Sequence, residues 1–121
     1  MKPFYCFVTA LLCAAVIGTR DASAERLVIL HTNDTHSQID PNNKNLGGIL
    51  RRKVLVDSVR AAQPNVMLVD AGDAVQGTLY FSLYGGEVEQ KMMNALGYDI
   101  QILGNHEFDN GLKELAKMYA P

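Results

Sequence analysis

Three short apolar runs, each followed at once by a polar segment, constrain the fold of this chain most strongly. The runs are rich in β-branched residues and span Leu27–Leu30, Val66–Val69 and Ile100–Leu103. Continuous apolar runs of this length are typical of strands that are buried on both faces of a parallel sheet. Stretches with helical periodicity separate them, so the order of elements favours right-handed crossovers and a parallel α/β sheet.

The chain between and after the strands contains three predicted helices, which gives the order βαβαβα. Their predicted bounds are Ile49–Ala62, Glu87–Leu96 and Gly111–Tyr119. Apolar residues at helical spacing predict the buried faces, which are Leu55, Val59 and Ala62 in the first helix and Val88, Met92 and Leu96 in the second. A polar loop, Asn33–Asn45, follows the first strand, and an apolar, aromatic stretch, Leu79–Tyr84, precedes Gly85-Gly86.

Residues 1–24 have the pattern of a secretory signal peptide. Lys2 supplies a positive start, Phe4–Gly18 is almost wholly apolar, and Ala22-Ser23-Ala24 forms a small-x-small cleavage site. A membrane anchor or a buried helix is the alternative, but the apolar run is short for a membrane span. We therefore expect export to the periplasm or the extracellular space, no stable membrane anchor after cleavage, and a mature region at residues 25–121.

Cleavage after Ala24 removes both cysteines, Cys6 and Cys13, so the mature region has no disulfide and no thiolate metal ligand. Because cleavage also removes two positive charges and one negative charge, the formal net charge changes from −2 to −3. The short cluster Arg51-Arg52-Lys53 lies inside a predicted helix and is interpreted as a solvated face. No basic patch indicates nucleic acid as a partner.

The polar segments lie where the predicted strands end, and these strand ends meet at one edge of a parallel sheet. They are Asp34-Thr35-His36, Gly72-Asp73 and Gly104-Asn105-His106-Glu107. Carboxylate, amide and imidazole groups suit divalent metals that activate water. Asp34 and His36 are two residues apart and would point the same way in extended backbone. Asp73 has two oxygens that can bridge two ions, and Gly72 before it permits a sharp turn and close approach.

Each segment taken alone also has a less specific interpretation. Asp34 fits a loop aspartate that caps backbone groups, and Asp73 fits a turn aspartate. Asp109 fits an orienting partner for His106, but it also fits a cap for the helix that begins near Gly111. Asp70 is interpreted as a residue at the edge of the core that bonds to backbone, and His31 as a structural histidine. Both are left outside the metal set.

Taken together, the segments LHTNDTHSQID, NVMLVDAGDAVQGT and ILGNHEFDNG resemble the calcineurin-like metallophosphoesterases, and more narrowly the secreted 5′-nucleotidase family. The resemblance covers nearly all of Leu27–Gly111. It implies that Asp34 and His36 bind one metal, that Asp73 bridges two, and that Asn105 binds the second. His106, paired with Asp109, would contact the phosphate.

The implied cofactors are two divalent ions, chosen among Mn, Zn, Co, Fe and Mg, and the implied activity is hydrolysis of a nucleotide or another small phosphoester by metal-activated water. Arg51 matches a family arginine with a structural role. The family also has a Gly-His-x-His segment downstream and a C-terminal nucleoside-binding domain, and neither occurs before Pro121.

Residues 25–121 are thus expected to form an incomplete N-terminal part of the metallophosphoesterase domain, the first half of an α/β/β/α sandwich. The isolated chain is expected to be inactive. The alternative function is a catalytically incompetent fragment, or a weak metal-binding or interaction module.

Overall fold

The computed structural model describes residues 25–120, so the predicted signal peptide lies outside the described residues. Three parallel strands form one sheet in the order β1-β2-β3. The strands are β1 Val28–Thr32, β2 Val66–Asp70 and β3 Ile100–Gln101. The predicted parallel α/β fold is therefore confirmed. The third strand is shorter than expected, because the chain leaves the ladder before Gly104 and turns toward the loop that follows β2.

Four α-helices accompany these strands among residues 25–120, one more than the sequence pattern predicted. They are α1 Ile49–Ala62, α2 Leu79–Tyr84, α3 Glu87–Leu96 and α4 Gly111–Met118. The additional helix is α2, the aromatic stretch. Thr78 caps its start by accepting a hydrogen bond from the Tyr80 backbone N–H, and Gly85 ends it in the left-handed conformation at φ 58°.

The core lies between the central strand β2 and helices α1 and α3. Leu68 of β2 contacts a cluster that contains Ile49 and Val56 of α1 and Leu96 of α3. The predicted buried face of α1 was wrong, because Leu55 is 62% exposed whereas Val56 is 2% exposed. The face of α1 that packs against the core is therefore the one that contains Ile49 and Val56, and not the predicted apolar row.

The sheet has one covered face and one open face within the described residues. The crossovers β1-α1-β2 and β2-α3-β3 run in the same direction, and right-handed crossovers of that kind place both helices on one face. On the other face Ile29 is 57% exposed and Ile100 is 48% exposed. The expectation that β1 is buried on both faces was therefore wrong for the described residues. Among residues 25–120 no helix is both long enough and apolar enough to cross a membrane.

Candidate metal centre

The loop that follows β1 runs beside the loop that follows β2 at the carboxyl edge of the sheet. The backbone N–H groups of Asp34, His36 and Ser37 donate to the carbonyls of Gly72, Asp73 and Ala74, at 2.9, 3.1 and 2.9 Å. These bonds continue the strand pairing past the ends of β1 and β2. They place the Asp34–His36 segment against Asp73, as the shared strand-end position predicts.

The loop after β3 joins this pair through two glycines. Gly72 has φ 105°, and a Cβ atom built on it would lie 2.7 Å from the Gly104 nitrogen. A Cβ atom on Gly104 would likewise lie 2.6 Å from the Asp73 nitrogen. Side chains at either position would force the loops apart, so the missing side chains let the second and third loops meet. The close approach expected of Gly72 is present.

Three side chains from the three loops converge at this edge. One ligand atom each from His36, Asp73 and His106 lie within 4.8 Å of one another. The two imidazole rings pack edge to face with centroids 5.1 Å apart. The His106 backbone N–H donates to Asp73 Oδ1 at 2.9 Å, which orients that carboxylate. His36 and His106, which are 70 positions apart in the sequence, thus share one small site.

The backbone around these groups departs from the extended conformation that the sequence suggested. Asp34, His36 and Asp73 have φ values of 51°, 44° and 55°, all in the left-handed region. The expectation that Asp34 and His36 align through extended backbone was therefore wrong. Left-handed non-glycine residues are uncommon and cluster at functional sites. The turns still bring Asp34 Oδ1 to 3.8 Å from His36 Nε2.

Asp34 and Asn105 lie at the border of the cluster. The Asp34 side chain is 59% exposed, and it accepts a hydrogen bond from the Asn33 side chain. It is not one of the three residues that converge within 4.8 Å. Asn105 is exposed at the start of the short 3₁₀ turn His106–Phe108, directly before His106. Both residues border the site without the close packing that holds Asp73.

His106 is held by Asp109 across the 3₁₀ turn. The imidazole Nδ1 lies 2.8 Å from Asp109 Oδ2, which leaves Nε2 as the ring nitrogen available to other groups. This hydrogen bond raises the pKa of His106 above its ordinary value, although partial desolvation opposes the shift. The N-terminal cap of α4 is Asn110 and not Asp109. Asp109 therefore makes the hydrogen bond that an orienting role needs, while Asn110 occupies the cap position of α4.

Glu107 is a further residue of the site that the sequence reasoning did not single out. Its side chain is 2% exposed. Its two carboxylate oxygens accept hydrogen bonds from the backbone N–H groups of Asp73, Ala74 and Gly104, at 3.1, 2.8 and 2.6 Å. One buried carboxylate thus ties the loop after β2 to the loop after β3. The signal in the sequence was an acidic residue at the end of Gly-Asn-His-Glu, but two of its three partners, Asp73 and Ala74, are distant in the chain.

The remaining candidates from the sequence lie outside the cluster. Asp70 is 1% exposed and accepts hydrogen bonds from Thr32 Oγ1 and the Gly72 backbone N–H, and its burial raises its pKa. His31 lies in β1 opposite Val69 and is exposed. Arg51 donates to backbone oxygens of Asn45 and Gly47, so it braces the first loop.

The donor set fits a divalent metal. The His36 imidazole and the Asp73 carboxylate suit ions such as Zn, Mn, Fe and Co, and a ring nitrogen of His106 lies within 4.8 Å of a ligand atom of each. Asp34 adds a second carboxylate beside His36. The backbone at Asp34, His36 and Asp73 is left-handed, a conformation that is enriched at functional sites.

Known proteins resemble this chain over most of the residues that the structure describes. The sequence profile of the calcineurin-like phosphoesterase family matches residues 27–120. Human 5′-nucleotidase is 43% identical over 117 residues, which cover 88% of this chain and 20% of that protein. The solved structure of NAD nucleotidase from Haemophilus influenzae has a TM-score of 0.72 and 38% identity. The 5′-nucleotidase precursor from Thermus thermophilus has a TM-score of 0.71 and 42% identity.

Both solved structures are matched over 76% of this chain and 20% of their own. The chain thus spans about a fifth of the length of these relatives.

Proposed function

Because this chain belongs to the calcineurin-like phosphoesterase family, we propose that its strand-end site hydrolyses a phosphate ester of a nucleotide. The observation that carries the proposal is the convergence of His36, Asp73 and His106 within 4.8 Å. The named activities of the relatives, 5′-nucleotidase and NAD nucleotidase, support a nucleotide as the substrate class. The non-enzymatic alternative, a weak metal-binding or interaction module, has no relative among these matches that favours it.

We propose the metal assignments that the family resemblance implies. Asp34 and His36 hold one divalent ion, Asp73 bridges, and Asn105 holds the second. When bound, two such ions acidify water and offset negative charge on the phosphoryl oxygens. The His106 backbone N–H donates to Asp73 Oδ1, and this hydrogen bond orients the carboxylate that would lie between the two ions.

His106 is proposed to contact the phosphate, oriented by Asp109. Since Asp109 occupies Nδ1, Nε2 is the nitrogen that can donate to a phosphoryl oxygen or to the leaving oxygen when it is protonated. In the overall reaction water adds to phosphorus and the phosphorus–oxygen bond to the leaving group breaks. The products are inorganic phosphate and the alcohol of the nucleoside.

An activity assay with nucleoside monophosphates tests this proposal. The chain spans about a fifth of the length of its relatives, and the assay uses the protein as its gene encodes it, hereafter the full-length protein. Asp73→Asn should lower turnover by about 100-fold or more, the range seen when one charge-stabilising group is removed. Asp57→Asn is the matched control, because Asp57 is an exposed carboxylate on α1 that pairs with Lys53. Equal activity of wild type and Asp73→Asn would contradict the proposal.

A substrate panel separates the two activities named among the relatives. Release of phosphate from nucleoside monophosphates indicates monoester hydrolysis, whereas cleavage of NAD to two mononucleotides indicates hydrolysis of the pyrophosphate. Phosphate release that persists in excess chelator would contradict the need for metal.

We also propose that the protein is exported and that residues 1–24 are removed. The term precursor attached to the Thermus thermophilus relative supports this. N-terminal sequencing of the protein recovered outside the cytoplasmic membrane should begin at Glu25. A retained Met1 in that fraction would overturn the cleavage site.

A further inference from the structure

A small cavity lies behind the metal centre, between the loop after β1, helix α1 and helix α3. Its volume is about 20 Å³. The apolar part of its wall includes Ile49, Met92 and Met93, and the polar part includes Ser37, Arg52 and Glu89. Arg52 therefore does not belong wholly to the solvated face expected for the Arg51–Lys53 cluster. The metal centre uses none of these polar side chains.

The polar atoms around this cavity are buried without protein partners. Ser37 is 2% exposed and Glu89 is 4% exposed. Among the described residues, neither Ser37 Oγ nor either carboxylate oxygen of Glu89 has a hydrogen-bond partner. Buried hydroxyls and carboxylates are strongly disfavoured unless they are hydrogen-bonded and the charge is balanced. The position of Glu89 in the first turn of α3 gives a favourable interaction with the helix dipole but no hydrogen bond.

We propose that this cavity binds one structural water molecule, held by Ser37 Oγ and the Glu89 carboxylate, while Arg52 supplies the balancing charge. A cavity needs roughly 10–15 Å³ of this kind of volume to hold a water, which in turn needs two to four polar partners. The volume of about 20 Å³ satisfies the first condition. Ser37 and the two Glu89 oxygens satisfy the second. The positive charge of Arg52 and the small number of oxygens disfavour a cation at this place.

The water site would connect two helices to the segment that carries the predicted metal ligands. Ser37 directly follows His36, and its backbone N–H donates to the carbonyl of Ala74, the residue after Asp73. A water shared by Ser37 and Glu89 therefore links the N-terminal turn of α3 to the left-handed turn at His36. This inference concerns the folded protein itself and does not depend on the proposed hydrolysis.

A high-resolution crystal structure of the full-length protein tests the site directly. The expected result is one ordered water within hydrogen-bond distance of Ser37 Oγ and a Glu89 oxygen. An empty cavity, or an Arg52 side chain that bonds directly to Glu89 and fills the space, would overturn the proposal.

Thermal unfolding of a double-mutant cycle tests the charge balance. Glu89→Gln and Arg52→Gln should each lower the Tm, because each leaves one charge at the cavity, the buried Glu89 carboxylate or the partly buried Arg52 guanidinium, without its opposite charge. The double variant should lose less than the sum of the two shifts. Glu87→Gln is the matched control on the same helix turn, since Glu87 is exposed and pairs with Lys91. Additive shifts, or a Glu89→Gln variant with a raised Tm, would contradict the proposal.

Discussion

The two halves of the candidate metal centre are held in place by different means. Around Asp73 and His106, a buried carboxylate from Glu107 bonds three backbone N–H groups, and Gly72 meets Gly104 without intervening side chains. Around Asp34, the backbone is paired with Gly72 but the side chain is 59% exposed. The first half is thus held by buried contacts, whereas the Asp34 side chain lies mostly in solvent.

Among these variants, removal of the Glu107 carboxylate should have the largest effect, because it releases the half of the site around Asp73 and His106. Glu107→Ala leaves three backbone N–H groups without their acceptor, and each such loss costs about 1–3 kcal/mol when the group stays buried. We expect the free energy of unfolding to fall by about 3 kcal/mol or more, as measured by denaturant titration. Glu107→Gln keeps one carbonyl acceptor and should lose less. An Ala variant as stable as wild type would remove Glu107 as the tie between the loops.

Gly104→Ala tests the close approach of the second and third loops. The new Cβ would lie 2.6 Å from the Asp73 nitrogen, and overpacking of this kind costs about 1–3 kcal/mol. The variant should be less stable and should bind Mn²⁺ more weakly by calorimetry. Gly47→Ala serves as the comparison, because it adds strain at φ 72° with no atom within 4 Å. If Gly104→Ala binds Mn²⁺ as wild type does, the glycine contact does not shape the site.

Asp34→Ala should affect metal binding more than folding. The side chain is mostly exposed, so we expect little change in the free energy of unfolding. The affinity for Mn²⁺ should fall by about 10-fold or more. This is the lower end of the loss in affinity that follows mutation of a group that supports a metal site. Asp73→Ala should lose more affinity than Asp34→Ala, because Asp73 is proposed to contact both ions. A larger loss of Mn²⁺ affinity in Asp34→Ala than in Asp73→Ala would contradict this assignment of Asp73.

Asp109→Asn should change the titration of His106 in the metal-free protein. The hydrogen bond from Asp109 raises the pKa of His106, so the variant should show a lower pKa in an NMR titration of the imidazole. A histidine with a raised folded pKa contributes stability that is full below its unfolded pKa, about 6.5, and is lost as the pH rises through the folded pKa. Asp57→Asn should leave the titration unchanged. An unshifted His106 in Asp109→Asn would remove the orienting role.

The strand-end position of the site could be predicted from the sequence because parallel strands deliver their carboxyl ends to one edge. Asp73, His36 and His106 follow apolar runs that are easy to recognise. The role of Glu107 could not be predicted, since its partners Asp73 and Ala74 lie more than 30 residues away and no local pattern marks them. Local periodicity likewise could not choose between Leu55 and Val56 as the buried residue of α1, because packing against Leu68 decides it.

Anomalous diffraction from crystals of the full-length protein grown with Mn²⁺ tests whether two metal ions bind at the strand ends. Two peaks are expected about 3.5–4 Å apart, the separation usual for paired ions, with Asp73 between them. Asp34 and His36 should contact one peak and Asn105 the other. The absence of any peak beside Asp73, or a peak bound by residues away from the strand ends, would contradict the two-metal assignment.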